Sequence, residues 1–155
     1  MNVNYSTHDL KTASTHQEPM IWVDEVIKLT SQGGVCKIIV SNQKLYGLEG
    51  LITQGILVEW AAQAASFINL ALIKSGIPGF HNSEKTYLVG LMNLEFKETD
   101  KIQFGSELLV SVELDRKIDS FYYLRAKIFN EPQLYFMGSL KIFAPRILDQ
   151  YKLNQ

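Results

Sequence analysis

The sequence has very little cysteine and almost no net charge. Its one cysteine, Cys36, cannot form an intramolecular disulfide, so a reducing compartment is the simpler expectation. The formal net charge is -1, and no basic stripe with interleaved aromatic residues is present. The first 18 residues lack the apolar core of a signal peptide. We therefore expect a cytoplasmic protein with no nucleic-acid partner.

A long uninterrupted apolar run is also absent. Residues 55–73 are mostly apolar, but Glu59, Gln63, Ser66 and Asn69 interrupt them. A membrane-spanning helix favours about 20 consecutive apolar residues, and a carboxylate inside it costs several kcal/mol. The segment therefore predicts a helix buried in a protein core, and no membrane partner is expected.

The chain is the length of one domain, and 46% of its residues are hydrophobic. Residues 1–15 predict a polar, loosely ordered arm. Residues 16–146 predict a single domain, and residues 147–155 a polar tail. No internal repeat or low-complexity stretch divides the chain.

The domain is predicted to have two strands, one long helix and then four strands. The helix is expected from about residue 55 to Ser75, because Gly76 suits a left-handed C-cap and Pro78 blocks continuation. A single helix can cover only one face of a sheet, so the sheet must curl round the helix. The outer face of the sheet could then pack against a second copy of the chain. We expect an α+β fold and a homodimer. The six predicted strands are residues 20–29, 35–40, 86–96, 107–116, 121–129 and 134–143.

The predicted helix carries one carboxylate, Glu59, about one turn inside its N-terminal end. Gln63 lies four residues later on the same face. A buried carboxylate must be paired, hydrogen-bonded or neutralised, and lining a cleft would make its pKa tunable. The N–H groups at the helix start, at Gly55 and Ile56, could bind a carbonyl oxygen. The alternative is that Glu59 faces solvent and only favours the helix N-terminus electrostatically.

Four segments, in order and at compatible spacing, resemble the small β-hydroxyacyl-acyl-carrier-protein dehydratases of type II fatty-acid synthesis. Residues 16–26 are similar to that family's opening H-x-x-P-hydrophobic-VD-x-V segment. Residues 55–65 are similar to its central helix, with a Glu and an AQA run. Residues 87–96 match its YLAGI-x-N-x-x-F strand, and Phe104-Gly105 falls where the family has a Pro-Gly turn.

This resemblance implies a hotdog fold, an antiparallel sheet of about six strands wrapped round one long central helix. It also implies a homodimer with an acyl tunnel between protomers. Glu59 matches the acid on the helix, which in that family works with a histidine of the neighbouring protomer. Gln63 and Gly90 are candidate substrate contacts, since Gly90 would let its strand lie close to the helix or to a ligand. Acyl carrier protein or coenzyme A would carry the thioester, and neither metal nor cofactor is expected.

The family's second catalytic residue, a histidine in an H-F-P-G loop before the helix, has no counterpart here. Residues 43–54 contain no histidine. His16 matches a different family histidine, and His16 and Tyr46 are named as supporting candidates only. A divergent branch, the hotdog proteins encoded with aryl-polyene and flexirubin-type pigment synthesis, also lacks the loop histidine and is the most similar in pattern.

Three functions remain open from the sequence. The first is a dehydratase-like protein acting on carrier-bound β-hydroxyacyl chains, with Glu59 as acid and base. The second is a thioesterase in which Glu59 activates water or attacks the thioester. The third is a non-catalytic acyl-binding subunit that pairs with an active homologue in a mixed dimer.

Overall fold

The protein is described by a computed structural model over residues 1–10, 20–41, 52–83 and 85–145. One long helix, α2 (Gln54–Lys74), follows a four-residue helix, α1 (Thr7–Leu10), and a short 3-10 turn occupies Thr99–Lys101. The strands of the described residues are β1 (Asn2–Ser6), β2 (Glu25–Thr30), β3 (Gly33–Ile39), β4 (Tyr87–Phe96), β5 (Glu107–Ile118), β6 (Phe121–Asn130) and β7 (Gln133–Phe143).

All the strands belong to one antiparallel sheet, in the spatial order β1-β2-β3-β5-β6-β7-β4. The helix α2 packs against β2, β3, β5 and β6, and the sheet continues past it through β7 and β4. This is the hotdog fold, and the α+β prediction is confirmed. Side chains on alternate positions of each strand face the helix, so the core lies between one face of the sheet and α2.

Nearly every side of α2 is apolar, and most of the helix is buried. Its length and composition would suffice for a membrane span, but here it is the core helix of the domain. It ends as the sequence predicts. Gly76 has φ of +72°, and Ile77 N–H donates to the Leu72 carbonyl at 2.9 Å.

The predicted arm contributes a seventh strand, so the expectation of a loosely ordered segment is wrong for its first ten residues. β1 pairs with β2, with Tyr5 opposite Val26. Val3 and Tyr5 pack partly buried against the core. The Tyr5 hydroxyl lies 3.0 Å from the Ser75 hydroxyl, which ties the arm to the end of α2.

The strand β2 corresponds to the first predicted strand, residues 20–29, but begins at Glu25 rather than residue 20. The reason is that the backbone of the residues before Glu25 has hydrogen-bond partners on α2. The carbonyl of Met20 and the N–H of Trp22 bind the Gln63 side chain of α2 instead of a neighbouring strand. The residues before Glu25 therefore lie against the helix, and Trp22 is buried.

The strand β4 stands at one end of the sheet and is hydrogen-bonded to β7 on one side only. Its first half is apolar and exposed: Tyr87, Leu88, Val89 and Leu91 are 42–50% exposed. Such an edge is a template for pairing with another strand unless something covers it.

Candidate active site on the central helix

Glu59 lies on the second turn of α2 and is half-buried. Gln63, one turn later, donates from Nε2 to Glu59 Oε1 at 3.0 Å. The same Nε2 donates to the Met20 carbonyl at 2.8 Å, and Gln63 Oε1 accepts from the Trp22 N–H at 2.9 Å. The amide of Gln63 thus fixes the position of the Glu59 carboxylate relative to the chain before β2.

Gln63 itself is completely buried, and its amide is bonded to Met20, Trp22 and Glu59. The sequence offered it as a substrate contact. In the structure its amide oxygen and nitrogen are already used by the backbone and by Glu59. Its role as a substrate contact stays a prediction.

At the start of α2, the N–H of Ile56 already has a hydrogen-bond partner, whereas Gly55 is exposed. Thr53, in an extended conformation, precedes the helix, and its carbonyl accepts from Ile56 N–H at 3.1 Å. The side chain of Ile56 is buried in the core. Gly55 is exposed, and a Cβ there would meet nothing closer than Thr53 Oγ1 at 3.8 Å. Of the two predicted amides, only that of Gly55 is placed to receive a ligand carbonyl.

A small pocket of about 30 Å³, with room for about two water molecules and partly open to solvent, lies along the same face of α2. Ala62 and Ser66 line it, three and seven residues after Glu59. At 3.6 residues per turn these three positions share one side of the helix. The remaining walls come from the loop after α2 and from the inner face of the sheet: Ala65, Phe80, His81, Thr86, Tyr122, Leu124 and Ile142.

His81 is held at this pocket by the helix. The buried side chain of Asn69 accepts from the His81 N–H at 3.2 Å and donates to the His81 carbonyl at 3.3 Å. The ring of His81 meets the edge of Tyr122 at 5.6 Å between centroids. Its Nδ1 is buried and has no hydrogen-bond partner in the described part of the chain.

Burial lowers the pKa of His81 below its ordinary value. The backbone of Ser83 opposes this shift, and the charge of Lys117 adds to it. His81 is therefore neutral at physiological pH, because the usual pKa of histidine is already about 6.5. His81 is not among the site residues that the sequence predicts, since the amide contact with Asn69 brings this loop back over the helix.

Of the other predicted site residues, the structure describes Gly90. His16 and Tyr46 lie outside the described residues. Gly90 pairs with Lys141 on β7, and a Cβ there would lie 3.4 Å from Lys141 Cβ. The expectation that Gly90 contacts substrate stays a prediction. Within the described ranges no group of His, Cys, Asp and Glu could hold a metal ion.

The sequence profile of the ApeP-like family, described as ApeP dehydratase, matches residues 8–153. The chain belongs to the ApeP-like family. The predicted resemblance to hotdog dehydratases is thereby confirmed. A search of curated protein sequences found no match.

Solved structures support the fold of this ApeP-like chain. The dehydratase heterocomplex ApeI:P from Xenorhabdus doucetiae aligns with a TM-score of 0.76 at 18% identity, over 94% of this chain and 97% of that one. A hypothetical thioesterase from Streptococcus pneumoniae TIGR4, solved with coenzyme A, gives 0.57 at 13% identity, over 78% and 84%. A Streptococcus mutans UA159 protein bound to acetyl CoA gives 0.62 at 10% identity, over 85% and 95%. At these identities the likeness shows the architecture alone.

Proposed function

We propose that this chain is a dehydratase-like protein acting on β-hydroxyacyl thioesters carried on acyl carrier protein, in fatty-acid or polyene-type lipid synthesis in the cytoplasm. The observation that carries the proposal is the Glu59 carboxylate, half-buried and oriented by Gln63 on the face of α2 that also lines the pocket. Membership of the ApeP-like family supports the same reaction class.

Dehydration removes a proton from the carbon next to the thioester carbonyl and a hydroxide from the next carbon. The proton and the hydroxide leave together as water, and a carbon–carbon double bond remains. Protonated Glu59 would supply the proton to the departing hydroxyl, and the proton that the base takes from carbon would afterwards return to Glu59, so that one water is lost overall. The negative charge that develops on the carbonyl oxygen would be stabilised by the N–H of Gly55, one helical turn away at the positive end of α2.

The base that takes the carbon-bound proton is proposed to come from a second hotdog chain. The exposed apolar edge of β4 supports such a partner, either another copy or a related protein. Thr86, immediately before β4, lines the pocket, so a chain paired with that edge would stand beside it. Because a second copy would also lack a histidine in the loop before the helix, a related protein would have to supply the base if the base is that histidine.

A second candidate is a non-catalytic acyl-binding subunit that completes the site of an active partner. The same exposed edge and the same missing histidine favour it. Here Glu59 would bind the acyl thioester while the partner does the chemistry. The ApeI:P structure from Xenorhabdus doucetiae is described as a dehydratase heterocomplex, which is the assembly this candidate requires.

One experiment separates these functions. The purified protein is incubated with a β-hydroxyacyl and a saturated acyl thioester, and enoyl product and free thiol are measured. Enoyl product supports a dehydratase that is complete in this chain or its homodimer, and free thiol supports a thioesterase using Glu59. Retained binding without either product supports a chain that needs a related partner for the chemistry. Glu59→Gln keeps the size and the Gln63 contact, and it should abolish whichever turnover is seen.

Glu107→Gln is the matched control, because Glu107 is an exposed carboxylate at the start of β5, away from the β4 edge and outside the residues that line the pocket. It should leave turnover unchanged. Full activity in Glu59→Gln, with circular dichroism showing a native fold, would remove Glu59 from the chemistry.

A further inference from the structure

Met20 lies beside the candidate acid. Gln63 Nε2 donates to the Met20 carbonyl at 2.8 Å and to Glu59 Oε1 at 3.0 Å. Two acceptors that share one amide NH2 group lie roughly 5 Å apart. A methionine side chain spans a similar distance, so a group that binds at Glu59 is within reach of Met20.

The side chain of Met20 is left outside the core. It is 46% exposed, whereas residues 21–23 are at most 6% exposed. One exposed apolar side chain needs no explanation on its own. This one adjoins a half-buried carboxylate, however, and Val58 and Ala62 add half-buried apolar side chains on the same side of α2. An apolar surface that a ligand can contact therefore borders the acid.

The order of residues along α2 sets the direction of a bound substrate. Gly55 lies about one turn before Glu59, and Gln63 about one turn after it. In the proposed reaction the thioester carbonyl faces the Gly55 N–H and the hydroxyl faces Glu59, so the carbons beyond the hydroxyl extend toward Gln63. The Met20 carbonyl is bonded to Gln63. Met20 therefore lies on the acyl side of the reacting carbons and not on the carrier side.

We propose that Met20 contacts the acyl group beyond the hydroxyl-bearing carbon and determines which acyl groups the site accepts. The proposal rests on the proposed function and makes Met20 a specificity-determining residue with no part in proton transfer. An unbranched thioether with three rotatable bonds adapts to acyl groups of different shapes. A 3-hydroxybutyryl group has only a methyl beyond the hydroxyl carbon and gains little from this contact, whereas a longer acyl group gains more.

Calorimetric titration with two inert substrate analogues tests this contact. Both are coenzyme A derivatives with an amide in place of the thioester, and they carry a 3-hydroxybutyryl or a 3-hydroxyoctanoyl group. Met20→Ala should weaken binding of the octanoyl compound about fivefold, which is the effect of losing roughly one buried methylene group. It should leave the affinity for the butyryl compound within about twofold. Met20→Leu should keep both affinities, because leucine is similar in size.

Ile73→Ala is the matched control. Ile73 is also 46% exposed and also lies on α2, but it follows Glu59 by fourteen residues, which is roughly 21 Å along the helix axis. This variant should leave both affinities unchanged. Met20→Ala keeps the backbone carbonyl that binds Gln63, so the position of Glu59 should not change, and circular dichroism should show a native fold.

The contrary results separate this assignment from the proposed function. If Met20→Ala binds the octanoyl compound as tightly as wild type does, or weakens both compounds equally, Met20 does not select the acyl group. The assignment is then overturned while the proposed function stands. The same holds if Ile73→Ala shows the same selective loss. Failure of both compounds to bind wild-type protein would overturn the proposed function as well.

Discussion

Replacing Gln63 by methionine tests how the candidate acid is held in place. The two side chains are similar in size, so the change removes hydrogen bonds with little change in packing. The Trp22 N–H and the Met20 carbonyl both lose their partner at Gln63. The Trp22 end of this contact is buried, whereas Met20 is 46% exposed and water can replace its lost bond. About 2 kcal/mol for the first group and about 1 kcal/mol for the second give an expected loss of about 3 kcal/mol.

The loss is measured by urea unfolding followed by circular dichroism, and by the thermal midpoint. For a chain of this size about 3 kcal/mol corresponds to a fall in Tm of about 9 °C. The control is Gln103→Met, because Gln103 is exposed, and its effect should stay within about 0.5 kcal/mol. If Gln63→Met is no more destabilising than this control, the three hydrogen bonds do not anchor the chain before β2, and Glu59 is not positioned as described.

Three further outcomes follow from burial and local geometry. Phe67→Ala should lower the free energy of unfolding by about 4 kcal/mol in the same urea assay, because Phe67 is fully buried in the middle of α2; a loss under 1 kcal/mol would contradict this packing. Burial raises the pKa of the Cys36 thiol far above its usual range, so its reaction with Ellman's reagent should be no faster than global unfolding; rapid labelling of native protein would show that the thiol is accessible. Gly55→Ala should raise stability by about 0.5–1 kcal/mol, because the helical position is open, yet it should weaken acyl-thioester binding if a carbonyl approaches this backbone; unchanged affinity would remove Gly55 from the site.

The sequence predicts the helix and most strands well, since their signals are local. The apolar run of α2 and its stop at Gly76 depend on residues a few positions apart, as do the alternating side chains of β5. The strand β1 was missed because only two apolar side chains, Val3 and Tyr5, mark its alternation. A five-residue strand with so weak a pattern is stabilised by its pairing with β2, which the sequence does not display.

The residues of the candidate site also differ in how far the sequence reveals them. Glu59 is recognisable from the sequence because a carboxylate in an apolar helix is unfavourable unless it is paired, hydrogen-bonded or neutralised. Gln63 is visible too, but its role depends on the Met20 carbonyl and the Trp22 N–H, more than 40 residues earlier. His81 could not be placed at the pocket from its own neighbours in sequence. Its position depends on Asn69, twelve residues earlier in the chain.

The contact between Asn69 and His81 has a consequence for ligand entry. One side chain satisfies both polar groups of the His81 backbone, as a neighbouring strand would. These two hydrogen bonds hold the wall that carries the imidazole in place without a ligand. An incoming chain need not order this loop, so less of its binding energy is lost to conformational entropy. Shortening the Asn69 side chain would be expected to slow and weaken capture without changing a single atom that touches the ligand.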